Sequence, residues 1–149
     1  MSSFSILGIN HVGLAPKDPE KCRWFFCDVL GLKSLGEELV KPQKTMTLMI
    51  ASSQKGGGGE ARLESLSPES GTEDSPIAKF LAKKGAGIHH LALSVDNVAA
   101  AIAGLVEAGV EMVDAVPRIG AHQTSIAFVH PNSTGGILVE LVEEVGKNL

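Results

Sequence analysis

Four residues of this 149-residue chain combine types and spacing that could do chemistry: His11, Glu64, His90 and Glu140. Each sits in the middle of a strand-like run, where an ionisable side chain needs a partner. Two imidazole nitrogens and two carboxylate oxygens suit a divalent cation of the Co2+, Ni2+, Mn2+ or Zn2+ kind, with positions left open for water or substrate. The two carboxylates would balance the ion's charge. Singly, a histidine in a strand is more often a hydrogen-bonded core residue, and a glutamate near a strand end is usually solvated. What sets these four apart is a repeat. Asn10-His11-Val12-Gly13-Leu14-Ala15 aligns with His89-His90-Leu91-Ala92-Leu93-Ser94, and Arg62–Leu66 aligns with Leu138–Val142. The histidines lie 79 residues apart and the glutamates 76, a difference that one loop change absorbs.

Periodicity predicts the elements that carry them. Gly8–Ala15 reads as a strand, with Val12 and Leu14 alternating against His11, Gly13 and Ala15. In the strand Ile88–Val95, His90 shares its face with Ala92 and Ser94, opposite Leu91, Leu93 and Val95. Both histidines therefore project from a small-residue face, while the bulky face is left to pack on helices. Glu140 points away from Ile137, Val139 and Leu141. His89 falls on the side opposite His90.

Asp18-Pro19 opens a helix whose Cys22, Phe25, Phe26, Val29 and Leu30 fall on one predicted buried face, stopped by Gly31. Ser75-Pro76 opens a second helix with Ile77, Phe80 and Leu81 inward. Asp96 is the expected cap of a third, with Val98, Ile102, Leu105 and Val106 inward and Gly109 at its end. Further strands are expected around Met46–Ala51, Ala61–Leu66, Met112–Val116, Ser125–His130 and Ile137–Val142. Gly56–Gly59 are not followed by a GK[ST] sequence, so they read as a flexible hairpin tip rather than a phosphate loop. The organisation is one domain of two modules, about 8–70 and about 88–143, joined by a linker helix at about 75–84. Packed side by side, the modules would form one cleft, each giving it an imidazole and a carboxylate.

Bulk properties exclude other classes. The net charge is −4 and no basic run exists to neutralise phosphates, which argues against nucleic-acid binding. No stretch approaches the roughly 18 consecutive apolar residues a spanning helix needs. Cys22 and Cys27, five apart, form no CxxC motif and suit a reducing compartment. The first residues lack the pattern of a secretory signal. The expectation is a soluble intracellular protein, cytoplasmic in a bacterium, or of the mitochondrial matrix if a transit peptide has been removed.

Asn10-His11-Val12-Gly13, Phe25-Phe26 and Leu30-Gly31-Leu32 resemble the first module of the vicinal oxygen chelate superfamily. Narrower matches are Glu64-Ser65-Leu66-Ser67-Pro68, Ser75-Pro76-Ile77-Ala78-Lys79-Phe80-Leu81 and Gly87-Ile88-His89-His90. Ile119-Gly120-Ala121-His122, Phe128-Val129-His130-Pro131 and Gly135–Leu141 continue the set. Over roughly residues 8–143 it is similar to methylmalonyl-CoA epimerases. The resemblance implies an α+β fold of two βαβββ modules forming a cupped eight-stranded mixed sheet with helices outside. It also implies an acyl-CoA substrate, a divalent cofactor, Co2+ first among those above, and a homodimer. The family's metal ligands carry over onto His11, Glu64, His90 and Glu140.

Some bacterial epimerases have a glutamate, proposed as a base, where this chain has Thr47. Asn132 stands where lysine is common, and Gln123-Thr124-Ser125 replaces basic residues. Glu140 is therefore the first candidate for moving the α-proton, Glu64 the symmetric one, and His122 a weaker one. Two other readings are a glyoxalase I-type lyase, which can use the same four residues, and a non-catalytic superfamily member that sequesters a small ligand. The Ser75–Leu81 and Ile119–His122 segments set the chain apart from the former, and its four retained ligands from the latter.

Overall fold

The computed structural model describes residues 3–55 and 60–144; the Gly56–Gly59 segment, expected as a hairpin tip, lies outside the described residues. The chain divides into two compact units, His11–His89 and the combination of Met1–Asn10 with His90–Leu149.

The unit His11–His89 holds the second half of β1 (Ile6–Ala15), then α1 (Pro19–Arg23), β2 (Ser34–Val40), β3 (Thr45–Ala51), β4 (Arg62–Pro68) and α2 (Pro76–Lys84). β4 runs parallel to β1, and β3 runs antiparallel to both β4 and β2. The helix starts follow the sequence. The Asp18 carboxylate accepts from the Lys21 N–H, the Ser75 hydroxyl from the Ala78 N–H, and each helix has proline in its first turn. Ile77 of α2 is buried against Ala15 and Leu66, with Phe80 and Leu81 at the edge of the cluster. Burying such a side chain is worth about 1.5–3 kcal/mol.

Two expectations fail in this unit. After Arg23 the helix widens into π-helical turns over Trp24–Val29, where the Leu30 N–H donates to the Phe25 carbonyl five residues back. Each turn then takes more residues than the 3.6 on which the expected apolar stripe depends. Phe25, Val29 and Leu30 are exposed rather than buried. β2 was also not expected: its mostly exposed Leu35, Gly36 and Glu37 carry no apolar alternation.

In the second unit the start of β1 is joined by most of β5 (Gly87–Val95), then α3 (Val98–Glu107), β6 (Arg118–Ile119), β7 (Ser125–Val129) and β8 (Val139–Glu143). β8 is parallel to β5, and β7 is antiparallel to both β8 and β6. Alternation sorts the side chains into two layers. Val95, Ala127, Val129 and Leu141 pack with Val98, Ala101 and Ile102 of α3, while Ala92, Ile126, Phe128 and Val142 form a second cluster. The Asn10 amide donates to the Ser94 hydroxyl (3.0 Å) and the Glu144 carboxylate (2.9 Å).

Asn97, not Asp96, caps α3, accepting from the Ala100 N–H; Asp96 instead accepts from the Ser5 N–H at 2.8 Å. The expected strand Met112–Val116 shrinks to a single bridge between Met112 and Val129. Beyond it the Asp114 carboxylate accepts from the Phe128 N–H at 2.8 Å, so a side chain takes over where strand pairing would continue. Among the described residues the strands follow the order β2-β3-β4-β1-β5-β8-β7-β6 in one mixed eight-stranded sheet. No helix there is long and apolar enough to cross a membrane.

Candidate functional site

The parallel strand pairs place the expected residues. In the unit His11–His89, β1 carries His11 and β4 carries Glu64, and Glu64 lies in register with Gly13, two residues after His11. The His11 Nε2 stands 3.5 Å from the Glu64 Oε1, and both residues are buried, at 4% and 6% exposure. In the second unit β5 carries His90 and β8 carries Glu140, which lies in register with Ala92, two residues after His90. Here the His90 Nε2 is 3.3 Å from the Glu140 Oε1, at 3% and 7% exposure. Sequence repeat and strand register thus agree: histidine, one residue, a small residue, and a glutamate beside that small residue. Glycine or alanine at the register position leaves room for the imidazole and carboxylate to meet on one face.

The donor chemistry of these pairs fits a divalent cation. Charge-assisted N–H···O bonds close to about 2.7–2.9 Å, and both separations are longer. Bonds of about 2.1 Å to one tetrahedral ion would put neighbouring ligand atoms about 3.4 Å apart. Each pair also buries a carboxylate, and opposite charge nearby offsets its lost solvation.

Neighbouring residues shape each pair. Met49 of β3 stands in register with Glu64. Phe128 of β7 stands in register with Glu140, its ring edge-on to His90 at 5.7 Å between centroids. His89 turns away from His90, as expected, and meets the Phe80 ring edge-on at 4.7 Å. Thr47 is buried, and its hydroxyl donates to the Glu38 carbonyl at 3.1 Å. His122 sits exposed in the turn Ala121–Gln123 with a left-handed backbone (φ 56°). Asn132, also exposed, donates its N–H to the His130 Nδ1. Burial pushes the Cys22 and Cys27 thiols up from their ordinary range, so neither is an activated nucleophile.

One residue near the pair in the second unit escaped the sequence reading. The Arg118 guanidinium lies over the Phe128 ring, 5.3 Å from its centroid, and the Arg118 Nε is 3.2 Å from the Asp114 Oδ1. The available signal was only an acid and a base four residues apart, Asp114 inside the expected strand Met112–Val116 and Arg118 just beyond it.

Comparison with known proteins matches residues 10–128 to the Glyoxalase/Bleomycin resistance protein/Dioxygenase superfamily. The chain is 37% identical over 134 residues to the mitochondrial methylmalonyl-CoA epimerase of Bos taurus, covering 89% of this chain and 72% of the relative. The crystal structure of methylmalonyl-CoA epimerase from Mycobacterium tuberculosis is similar with a TM-score of 0.84 at 34% identity, covering 95% of this chain and 91% of that one. A Streptomyces coelicolor methylmalonyl-CoA epimerase variant in complex with 2-nitronate-propionyl-CoA gives a TM-score of 0.85 at 31% identity, covering 95% and 97%.

Proposed function

The chain belongs to the glyoxalase/bleomycin resistance protein/dioxygenase superfamily, and from that premise we propose that it interconverts the R and S epimers of methylmalonyl-CoA through an enolate. The observation that carries this reading is the twice-repeated buried His–Glu pair, His11 with Glu64 and His90 with Glu140. The acyl-CoA assignment rests on the relatives.

We assign all four side chains as ligands of one divalent cation, Co2+ first, with Ni2+, Mn2+ and Zn2+ as the other metals the donor set suits. Each pair offers one imidazole nitrogen and one carboxylate oxygen to such an ion. Once bound, the ion supplies positive charge where negative charge builds as the α-proton leaves. Proton transfer falls to the protein. Epimerisation needs a base on one face of the planar enolate and an acid on the other. Glu140 takes the α-proton, and the C–H electron pair passes into the thioester carbonyl. Glu64 is the symmetric candidate for returning a proton to the opposite face. These roles go to the two glutamates because Thr47, with its hydroxyl committed to a main-chain carbonyl, offers no carboxylate.

The enzyme works as a homodimer in this reading, which is supported by the exposed Trp24, Phe25, Val29 and Leu30. The free cysteines suit a reducing compartment, the cytoplasm or the mitochondrial matrix. The test is proton–deuterium exchange at the α-carbon of methylmalonyl-CoA in heavy water, with protein stripped of metal and then reloaded. Exchange that disappears on stripping and returns on reloading is the expected result. Metal-loaded protein that exchanges neither epimer would overturn the reading.

A further inference from the structure

We propose that Arg118 binds the free carboxylate of the substrate's malonyl part and so makes the site select acyl thioesters that carry a second acid group. The inference rests on the acyl-CoA reading above, and its starting point is how Arg118 is held. Arg118 lies in register with Ile126 of β7, and its guanidinium covers the Phe128 ring on the face that also carries His90. That ring stacks edge-on against the His90 imidazole, so a single aromatic side chain separates the cation from a residue of the proposed site.

Two contacts fix the guanidinium. Asp114 holds the Nε edge at 3.2 Å, and the Asp114 carboxylate is itself anchored by the Phe128 N–H at 2.8 Å. The Phe128 ring lies 5.3 Å from the guanidinium carbon, within cation–π range. Among the described residues the terminal nitrogens of Arg118 have no partner, and its side chain remains 42% exposed.

A guanidinium tied at its Nε edge presents its other N–H groups as a fork. Such a fork matches the two oxygens of a carboxylate, and little side-chain freedom is left to lose on binding.

The experiment compares the binding of malonyl-CoA, which carries the second carboxylate, with acetyl-CoA, which lacks it, by isothermal titration of wild type, Arg118→Met and Arg118→Lys. Wild type should favour malonyl-CoA. Arg118→Met should weaken malonyl-CoA by about ten- to a hundredfold, the range of a lost charged hydrogen bond, and leave acetyl-CoA unchanged. Arg118→Lys keeps the charge but not the fork, so an intermediate loss supports the same conclusion and covers the case in which Arg118→Met does not fold. Equal weakening of both thioesters would mean that Arg118 meets the coenzyme's phosphates, and would overturn the proposal. Unchanged binding of both would reduce Arg118 to a lid on Phe128, with the same consequence. α-Proton exchange by wild type is the separate readout for the parent reading, so the two can fail independently.

Discussion

Replacing Glu140 with glutamine separates its two proposed roles, ligand and proton carrier. Glu140 is 7% exposed, in register with Ala92 and Phe128, and its Oε1 lies 3.3 Å from the His90 Nε2. Glutamine has nearly the same volume, so the buried surroundings stay filled and no cavity term arises. The amide keeps one oxygen for a cation but has no basicity. Glu140→Gln should therefore hold much of its metal and lose most of its exchange activity. Losing one general base typically costs about 10²–10⁴ in rate, or about 3–5 kcal/mol in barrier height. The assay measures α-proton exchange in heavy water by NMR, with metal content determined on the same sample and thermal unfolding as a check on the fold. Full exchange by a metal-bound Glu140→Gln protein would refute the assignment, and His122 would be the next residue to test. Complete loss of metal would refute the claim that an amide oxygen serves as the ligand.

His11→Ala and His90→Ala should each abolish stoichiometric metal binding while the circular dichroism spectrum stays native; an unfolded His90→Ala protein would make that histidine structural instead. Glu64→Gln should retain metal and lose less exchange activity than Glu140→Gln, measured in the same assay, because Glu140 is the group assigned to take the α-proton; an equal or larger loss would reverse the order of the two carboxylates. Ile77→Ala removes a 2%-exposed side chain from between Ala15 and Leu66 and should cost about 2–5 kcal/mol in denaturant unfolding. Metal content should not change, and a change would show that this cluster supports the site.

The site was legible where side-chain direction follows from alternation alone. His11 with Gly13 and Ala15, and His90 with Ala92 and Ser94, mark small-residue faces, and the layering of Val95, Ala127, Val129 and Leu141 onto α3 follows from the same period of two. Pairing between strands is not written in such a period. That Glu64 stands beside Gly13, and Glu140 beside Ala92, depends on parallel registers between segments about fifty residues apart, which no local pattern specifies. The failures have the same origin. The Cys22–Leu30 stripe presumed 3.6 residues per turn, and π-helical hydrogen bonding changes that number without changing a residue. Met112–Val116 looked like a strand because its apolar content matches one, but the Asp114 side chain satisfies the N–H of Phe128. That substitution also explains why Arg118 escaped notice. Its position over Phe128 depends on Asp114 engaging Arg118 at one oxygen and the backbone at the other, an arrangement that exists only once β7 is in place. Repetition reveals what two modules share, so the His–Glu pairs emerge from sequence comparison within the chain. A residue that only one module carries has no internal counterpart to point it out, and selectivity between related substrates calls for such an unshared residue.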